Sequence, residues 1–173
     1  SGLVGSNDSA FNILSYAGTG VAGRTDGTSG NLLSAQFNAP EGIVFDSNGN
    51  MFVADRDNHV IRKITPSGSV SVFAGVVGVT GAQNGALGIG KFNSPIRLSI
   101  DTADNLYVAD RDNARIRKVT PAGVISTIAG TTAGAGSTQF NWPIDVAVSA
   151  DGTKVYVADS KNHRIQKITL SGG

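Results

Sequence analysis

Residues 53–68 read VADRDNHVIRKITPSG, and the stretch returns as VADRDNARIRKVTPAG at 108–123 and as VADSKNHRIQKITLSG at 157–172. The spacing is 55 residues from Asp55 to Asp110 and 49 residues from Asp110 to Asp159. A repeat of this length is typical of solenoids, propellers and other arrays, in which one supersecondary unit stacks on the next. The structure of the single unit therefore decides the fold.

Each unit contains four short runs with the pattern of β-strands. In the first unit they are GIVFD at 42–46, MFVAD at 51–55, VIRKIT at 60–65 and SVSVFAG at 69–75. The Asn and Gly residues of 47–50 tolerate positive φ and favour a tight turn between the first two runs. Four short antiparallel strands in a meander are typical of a propeller blade. The sequence thus predicts an all-β propeller of four-stranded antiparallel blades.

The chain holds three blade equivalents, and the copies at its two ends are incomplete. FNILSYAG aligns with SVSVFAG, the fourth strand of the first unit, whereas the last copy stops after its third strand. We predict a tail at 1–10, an orphan outer strand at 11–18, blade 1 at 41–75, blade 2 at 96–130, and blade 3 without its outer strand at 144–170.

Six polar residues recur where the second strand of each unit ends: Asp55, Asn58, Asp110, Asn113, Asp159 and Asn162. Such side chains readily bond to backbone N–H groups of their own turn. We favour this structural role over metal ligands or catalytic carboxylates, because a turn residue must recur in every blade whereas an active site need not. The two histidines are too few for a His-rich zinc cluster, and they are interpreted as packing residues at the surface.

Other repeated positions receive structural interpretations as well. The phenylalanines that precede each blade (Phe37, Phe92, Phe140) are predicted to wedge into the core between blades. The basic pairs Arg62/Lys63 and Arg117/Lys118 are interpreted as solvated strand faces rather than a nucleic-acid track, since nearby aspartates cancel their field.

Positions that vary between copies carry more functional information. The innermost strands begin at three prolines, and there the copies differ: Glu41, Arg97, Asp145 and Trp142 are predicted to lie at the mouth of a central channel. One interpretation is a polar cup for a small charged ligand or for a side chain of a protein partner, with Trp142 as a stacking surface. The alternative is an Arg97–Asp145 ion pair between adjacent blades, with Trp142 packed on a loop.

Bulk composition narrows the class of partner. The net charge is +1, which gives little attraction for nucleic acid or an anionic membrane, and there is no apolar run long enough to span a bilayer. The chain has no cysteine, so it forms neither disulfides nor thiolate metal sites. We expect no cofactor and no metal site. The sequence does not fix a compartment, and a soluble protein or a fragment of an extracellular or surface protein fits the composition.

The pattern of a proline, an alternating strand, VAD-x-x-N and I-x-K-[IV]-T resembles the NHL repeat, from residue 11 onward and at more than ten matched positions in each copy. The resemblance implies a six-bladed propeller. NHL repeats usually have Gly second after the proline; Gly42 keeps it, whereas Arg97 and Asp145 depart from it.

Three blades do not close a ring, because propellers need about four to eight. An arc of three would leave two apolar faces and an unpaired strand edge in water. We therefore expect a homodimer of six blades in which each orphan strand completes the partner's blade 3. A trimer of nine blades is less favoured.

The favoured function is a non-catalytic propeller fragment that assembles into a closed ring and serves as an interaction scaffold. The resemblance leaves two alternatives open. A metal-dependent hydrolase or lyase would have its site at the channel mouth, where only Glu41 and Asp145 are candidate calcium ligands, and the histidines and cysteines of the amidating lyases are not matched. An RNA-binding module would need a strongly basic face with stacking groups, which the net charge and the single tryptophan disfavour.

Overall fold

The computed structural model describes residues 12–170 of the chain. This part contains eleven β-strands. Their bounds are Pro40–Phe45 (β1), Met51–Asp55 (β2), Val60–Ile64 (β3), Val70–Gly75 (β4), Pro95–Ile100 (β5), Leu106–Asp110 (β6), Arg115–Val119 (β7), Ile125–Ala129 (β8), Pro143–Val148 (β9), Lys154–Asp159 (β10) and Arg164–Thr169 (β11). They form three antiparallel sheets in the orders β1-β2-β3-β4, β5-β6-β7-β8 and β9-β10-β11. The predicted all-β propeller fold is confirmed, and we call these sheets blades 1, 2 and 3.

In blades 1 and 2, the turn between the first two strands is stabilised by an aspartate side chain that accepts hydrogen bonds from backbone N–H groups of the turn. Between β1 and β2, Asp46 accepts hydrogen bonds from the N–H groups of Asn48 and Asn50 at 3.0 and 2.8 Å. Gly49 in this turn has a φ of +78°, which glycine adopts without strain. Asp101 takes the role of Asp46 in blade 2.

The second and third strands of each blade are joined by a short 3-10 turn, at Arg56–Asn58, Arg111–Asn113 and Ser160–Asn162. The residue after each turn is left-handed, with φ of 59° at His59, 51° at Ala114 and 53° at His163. We call these turns the tips of the blades. Within residues 12–170 no helix has the length and apolar character to cross a membrane.

Two apolar cores lie between consecutive blades. The first joins Phe52 and Ile61 of blade 1 to Leu98 and Val108 of blade 2. The second joins Tyr107 and Ile116 of blade 2 to Val146 and Val157 of blade 3. Phe92 and Phe140 are buried in these two cores, as predicted for wedges between blades. We call the face of a blade that is directed toward the preceding blade its front face, and the face directed toward the following blade its back face.

The innermost strands approach one another closely at Gly42. A methyl group added there would lie 2.9 Å from the Cα of Arg97 and 2.9 Å from the carbonyl oxygen of Ile96. Both atoms belong to the backbone of β5, so they have little freedom to retreat. Gly42 therefore sets the distance between blades 1 and 2 at the centre of the fold.

We expect Gly42→Ala to lower the free energy of unfolding by about 1–3 kcal/mol, the range for overpacking a fixed site. Gly136→Ala is the control, because its added methyl would meet only the side chain of Gln139, at 2.8 Å from Oε1. Urea denaturation of both variants checks this, and equal stabilities would contradict the assigned role of Gly42.

Candidate functional site

The tip of blade 1 is held by a buried network around the carboxylate of Asp55. Its Oδ1 accepts the backbone N–H of Asn38 at 2.7 Å, and its Oδ2 accepts Nδ2 of Asn58 at 2.8 Å and Nη1 of Arg62 at 3.2 Å. Asn58 and Arg62 also donate to backbone carbonyls of the loop 23–36. This network, which we call the tip clamp, ties the tip to the connection that leads into the blade.

Blade 2 has the same tip clamp, made of Asp110, Asn113 and Arg117. Nδ2 of Asn113 and Nη1 of Arg117 lie 2.7 and 2.8 Å from Oδ2 of Asp110. The side chains of Arg117 and Arg62 are 0% and 1% exposed, so the interpretation of these arginines as solvated strand faces is wrong. In both copies the arginine follows the aspartate by seven residues, and that repeated spacing is the signal in the sequence that points to the pair.

Blade 3 builds its tip clamp from a different cation. Gln166 occupies the position of the buried arginines, and Arg164 donates from Nε to Oδ2 of Asp159 at 2.9 Å. Nδ2 of Asn162 lies 2.8 Å from the same oxygen. Arg164 also donates to carbonyl oxygens of the loop 135–139, so the clamp again joins the tip to the preceding connection.

The pKa values of the clamp carboxylates differ between blades. Burial raises the pKa of Asp110 to about 6 and also raises that of Asp55, against the hydrogen bonds and the arginine that lower each of them. Burial raises the pKa of Asp159 as well, but hydrogen bonds from Asn141, Asn162 and the neighbouring side chains outweigh it, and the net shift is downward. In all three blades the carboxylate oxygens are occupied by groups of the same blade or of the loop leading into it.

The residues predicted at the channel mouth all lie at the tip end, where Pro40, Pro95 and Pro143 pair with the clamp aspartates. Among them, Glu41 is engaged by Nη1 of Arg56 at 2.7 Å.

Arg97 and Asp145 are both exposed, and neither takes part in an ion pair within the described residues 12–170. The alternative interpretation, an Arg97–Asp145 ion pair between blades, is therefore wrong for the single chain. Both side chains, on the innermost strands of blades 2 and 3, are therefore without an ion-pair partner within residues 12–170.

Trp142 lies between the tips of blades 2 and 3 and is 43% exposed. Nζ of Lys161 is 3.5 Å from the centre of its ring, and the guanidinium carbon of Arg111 is 5.1 Å from it. Contacts of this kind stabilise a cation over the face of an indole. Sequence analysis missed both cations, although the tips differ at their positions: RDN in blades 1 and 2 becomes SKN in blade 3.

The back face of blade 3 is open in the chain. Ile61 and Ile116, at the equivalent position of blades 1 and 2, are 0% exposed, whereas Ile165 of blade 3 is 71% exposed. Tyr107 is likewise 0% exposed, and its equivalent Tyr156 is 43% exposed. Because the side chains are the same, the difference comes from the following blade, which covers the first two copies and not the third.

The front face of blade 1 is open in the same way. Ile43 is 54% exposed, whereas the equivalent Leu98 and Val146 are 8% and 4% exposed. An open cavity of about 300 Å³ lies on this face, with Tyr16 and Phe37 among its mainly apolar lining. The two open faces correspond to the two sides of the interface that joins blade 1 to blade 2.

An unpaired strand edge and an unpaired segment accompany the open faces. The outer edge of β11 borders a groove of about 500 Å³, formed with residues 127–131 of the preceding blade. Residues 12–16 belong to no strand, and Ile13 and Leu14 are 88% and 84% exposed. The first residue of the predicted orphan strand and the predicted tail at 1–10 lie outside the described residues.

No group of three or more His, Asp or Glu residues that could hold a metal ion is found in the described part of the chain.

Comparison with protein families gives a match to the model of the NHL repeat at residues 37–64, 92–119 and 140–168. Each match runs from the phenylalanine before the inner strand to the third strand of a blade. Comparison with curated protein sequences gives no match.

Several solved structures share the fold. An auxiliary nutrient binding protein from Bacteroides thetaiotaomicron matches 72% of this chain and 36% of its own, with 22% identity and a TM-score of 0.64. One from Bacteroides ovatus matches 79% of this chain and 38% of its own, with 21% identity and a TM-score of 0.66. A gluconolactonase from Xanthomonas campestris matches 70% and 35%, with 16% identity and a TM-score of 0.53. The chain thus spans little more than a third of each of these proteins.

We expect Arg117→Met to lower the free energy of unfolding by about 3–5 kcal/mol, because it leaves the buried Asp110 without its cation. Lys118→Met is the matched control on the same strand. Its ammonium lies over the ring of Tyr107 at 5.7 Å, a contact worth about 1 kcal/mol. Urea denaturation measures both, and a small loss for Arg117→Met would contradict the importance of the tip clamp.

Replacing Arg97 and Asp145 together by glycine, the residue that Gly42 shows at this position, is expected to leave the fold intact. Neither side chain makes an ion pair, and Asp145 gives up only a local hydrogen bond, which its Oδ1 accepts from the backbone N–H of Val146 at 2.9 Å. Circular dichroism and the midpoint of urea denaturation check this, and loss of folded protein would show that the two charges are structural.

Proposed function

The chain belongs to the NHL-repeat β-propellers, and from this we propose that two copies close into a six-bladed ring that serves as a non-catalytic interaction scaffold. The observation that carries the proposal is the exposure of Ile165 and Ile43, whose equivalents in the other blades are buried between blades. The occupant that fits an open back face is thus a front face of this same repeat. A second copy of the chain supplies one.

Two copies are favoured over three by the number of blades. Two arcs of three give six blades, which lies within the range of about four to eight that closed propellers adopt, whereas three arcs give nine. The arrangement is head to tail: the back face of each blade 3 meets the front face of the partner's blade 1. Both open faces of both copies are then covered at once, and no apolar face is left in water.

We propose that the ring binds its ligand or protein partner at the channel mouth. There the unpaired charges of Arg97 and Asp145 line the inner strands, and Trp142 with Lys161 offers an exposed aromatic and cationic surface. The two neighbours described as auxiliary nutrient binding proteins support a binding role by fold alone. A small charged ligand, or a charged side chain of a protein partner, fits this combination of groups.

We expect light scattering at micromolar concentration to give twice 17.7 kDa for the native chain. Ile165→Asp is expected to give a folded monomer, because closure would bury a carboxylate in an apolar interface at a penalty of several kcal/mol.

Ile89→Asp is the matched control, since Ile89 is 56% exposed in the loop before blade 2 and lines neither the cavity on the front face of blade 1 nor the groove beside β11. It should keep the dimer mass. A native chain that stays monomeric at micromolar concentration, or a mass of three chains, would overturn the six-bladed ring.

A further inference from the structure

We infer that residues 13–17 of each copy form the fourth strand of the partner's blade 3, in a register that blades 1 and 2 define. This inference rests on the proposed ring and adds the residue-by-residue alignment of the segment that crosses the interface.

The acceptor is the outer edge of β11. In blades 1 and 2 the corresponding edges, those of β3 and β7, are covered by β4 and β8. In blade 3 no strand of residues 12–170 lies there, and the groove beside Gln166, Lys167 and Ile168 is open. An uncovered edge presents a row of backbone N–H and C=O groups, to which an extended segment can add as a new strand.

The donor is the segment that precedes Gly18. Its end is anchored on the connection that leads into blade 1, because the N–H of Gly18 donates to the carbonyl oxygen of Leu32 at 2.9 Å. Tyr16 borders the open front face of the same blade. The segment therefore starts where the partner's blade 3 arrives when the ring closes, and residues 12–16 are in no other sheet.

The register follows from the Ala-Gly pair that ends each outer strand, at 17–18, 74–75 and 129–130. In blade 1, β3 and β4 align as Ile64–Val70, Lys63–Ser71, Arg62–Val72 and Ile61–Ala74. In blade 2, β7 and β8 align as Val119–Ile125, Lys118–Ser126, Arg117–Thr127 and Ile116–Ala129. The same alignment pairs the partner's Ile168, Lys167, Gln166 and Ile165 with Ile13, Leu14, Ser15 and Ala17.

This register gives the exposed side chain of Ile13 a buried place and that of Tyr16 an aromatic neighbour. Val70 and Ile125, the equivalents of Ile13, are 8% and 1% exposed, whereas Ile13 is 88% exposed in the single chain. Phe73, the equivalent of Tyr16, packs on Phe52 with ring centres 4.6 Å apart. Tyr16 then meets the partner's Tyr156, which stands in the position of Phe52.

The glycine that ends the strand points to the same arrangement. Gly75 and Gly130 have φ of +103° and +87°, and an added methyl group would collide with the carbonyl oxygen of His59 or Ala114. Gly18 shares the conformation, with φ of +100°, but lacks a tip above it in its own chain. The partner's His163 completes that contact in the proposed register.

The chain has no cysteine, so a pair introduced in register can be trapped as a disulfide without background. Leu14→Cys with Lys167→Cys replaces two exposed side chains that lie directly opposite each other, with Cβ atoms about 5 Å apart. Mild oxidation should convert most of the protein to a covalent dimer of twice 17.7 kDa on a denaturing gel.

Leu14→Cys with Thr169→Cys is the control. The second pair is diagonal on the same face, with Cα atoms about 7–8 Å apart, beyond the reach of a disulfide. It should yield at least about tenfold less covalent dimer than the pair in register, given that mismatch in distance.

Light scattering of the reduced variants separates the two proposals. A dimer that gives no disulfide with the pair in register, or equal amounts with both pairs, overturns the strand exchange and leaves the ring standing. A disulfide within single chains also overturns it. A reduced variant that is folded and monomeric, together with a monomeric native chain, overturns the ring and the strand exchange together.

Discussion

The burial of one blade's back face against the next blade's front face is the interaction on which the rest of this fold depends. A sheet of four short strands has two apolar faces and buries neither by itself, so every blade gains its stability from its neighbours. The chain contains its own comparison, because the same isoleucine is buried in blades 1 and 2 and exposed in blade 3. Gly42 shows how close this packing is at the centre, where one methyl group would press on the backbone of β5.

The tip clamps have a different structural role, because they order the long glycine-rich connections between blades. Loops of this composition gain little from apolar burial, and the buried arginine of blade 2 holds its loop through the carbonyl oxygens of Gln83 and Lys91. A buried ion pair adds little net stability compared with an apolar pair, because both charges lose their water. Its contribution is to fix where the loop and the tip lie relative to the start of the inner strand.

The strands, their order and the wedge phenylalanines could be predicted from sequence because three copies report the same pattern. The environment of Arg62 could not, since alternation along a strand gives the face of a side chain and not the distance that a long side chain spans. In blade 3 the clamp cation is Arg164, and Gln166 occupies the position of the buried arginines. The structure reveals this change because both side chains donate to Oδ2 of Asp159. The predicted ion pair between Arg97 and Asp145 is not formed, for a related reason: side chains of opposite charge at equivalent positions of adjacent blades pair only if they converge.

Whether such arcs of three blades close into a ring or add further copies to form a filament depends on how the first interface affects formation of the second. The two open faces are complementary to each other and not to themselves, so head-to-tail contact leads either to a ring or to an open filament. After the first interface forms between two copies, the second lies within one complex, and its closure is intramolecular at a high effective concentration. In the proposed ring, exchange of segment 13–17 would add backbone hydrogen bonds to each interface without a new loop to close. The ring that we propose would therefore be favoured over a filament of the same chains, because a filament always leaves one back face, one front face and one β11 edge in water.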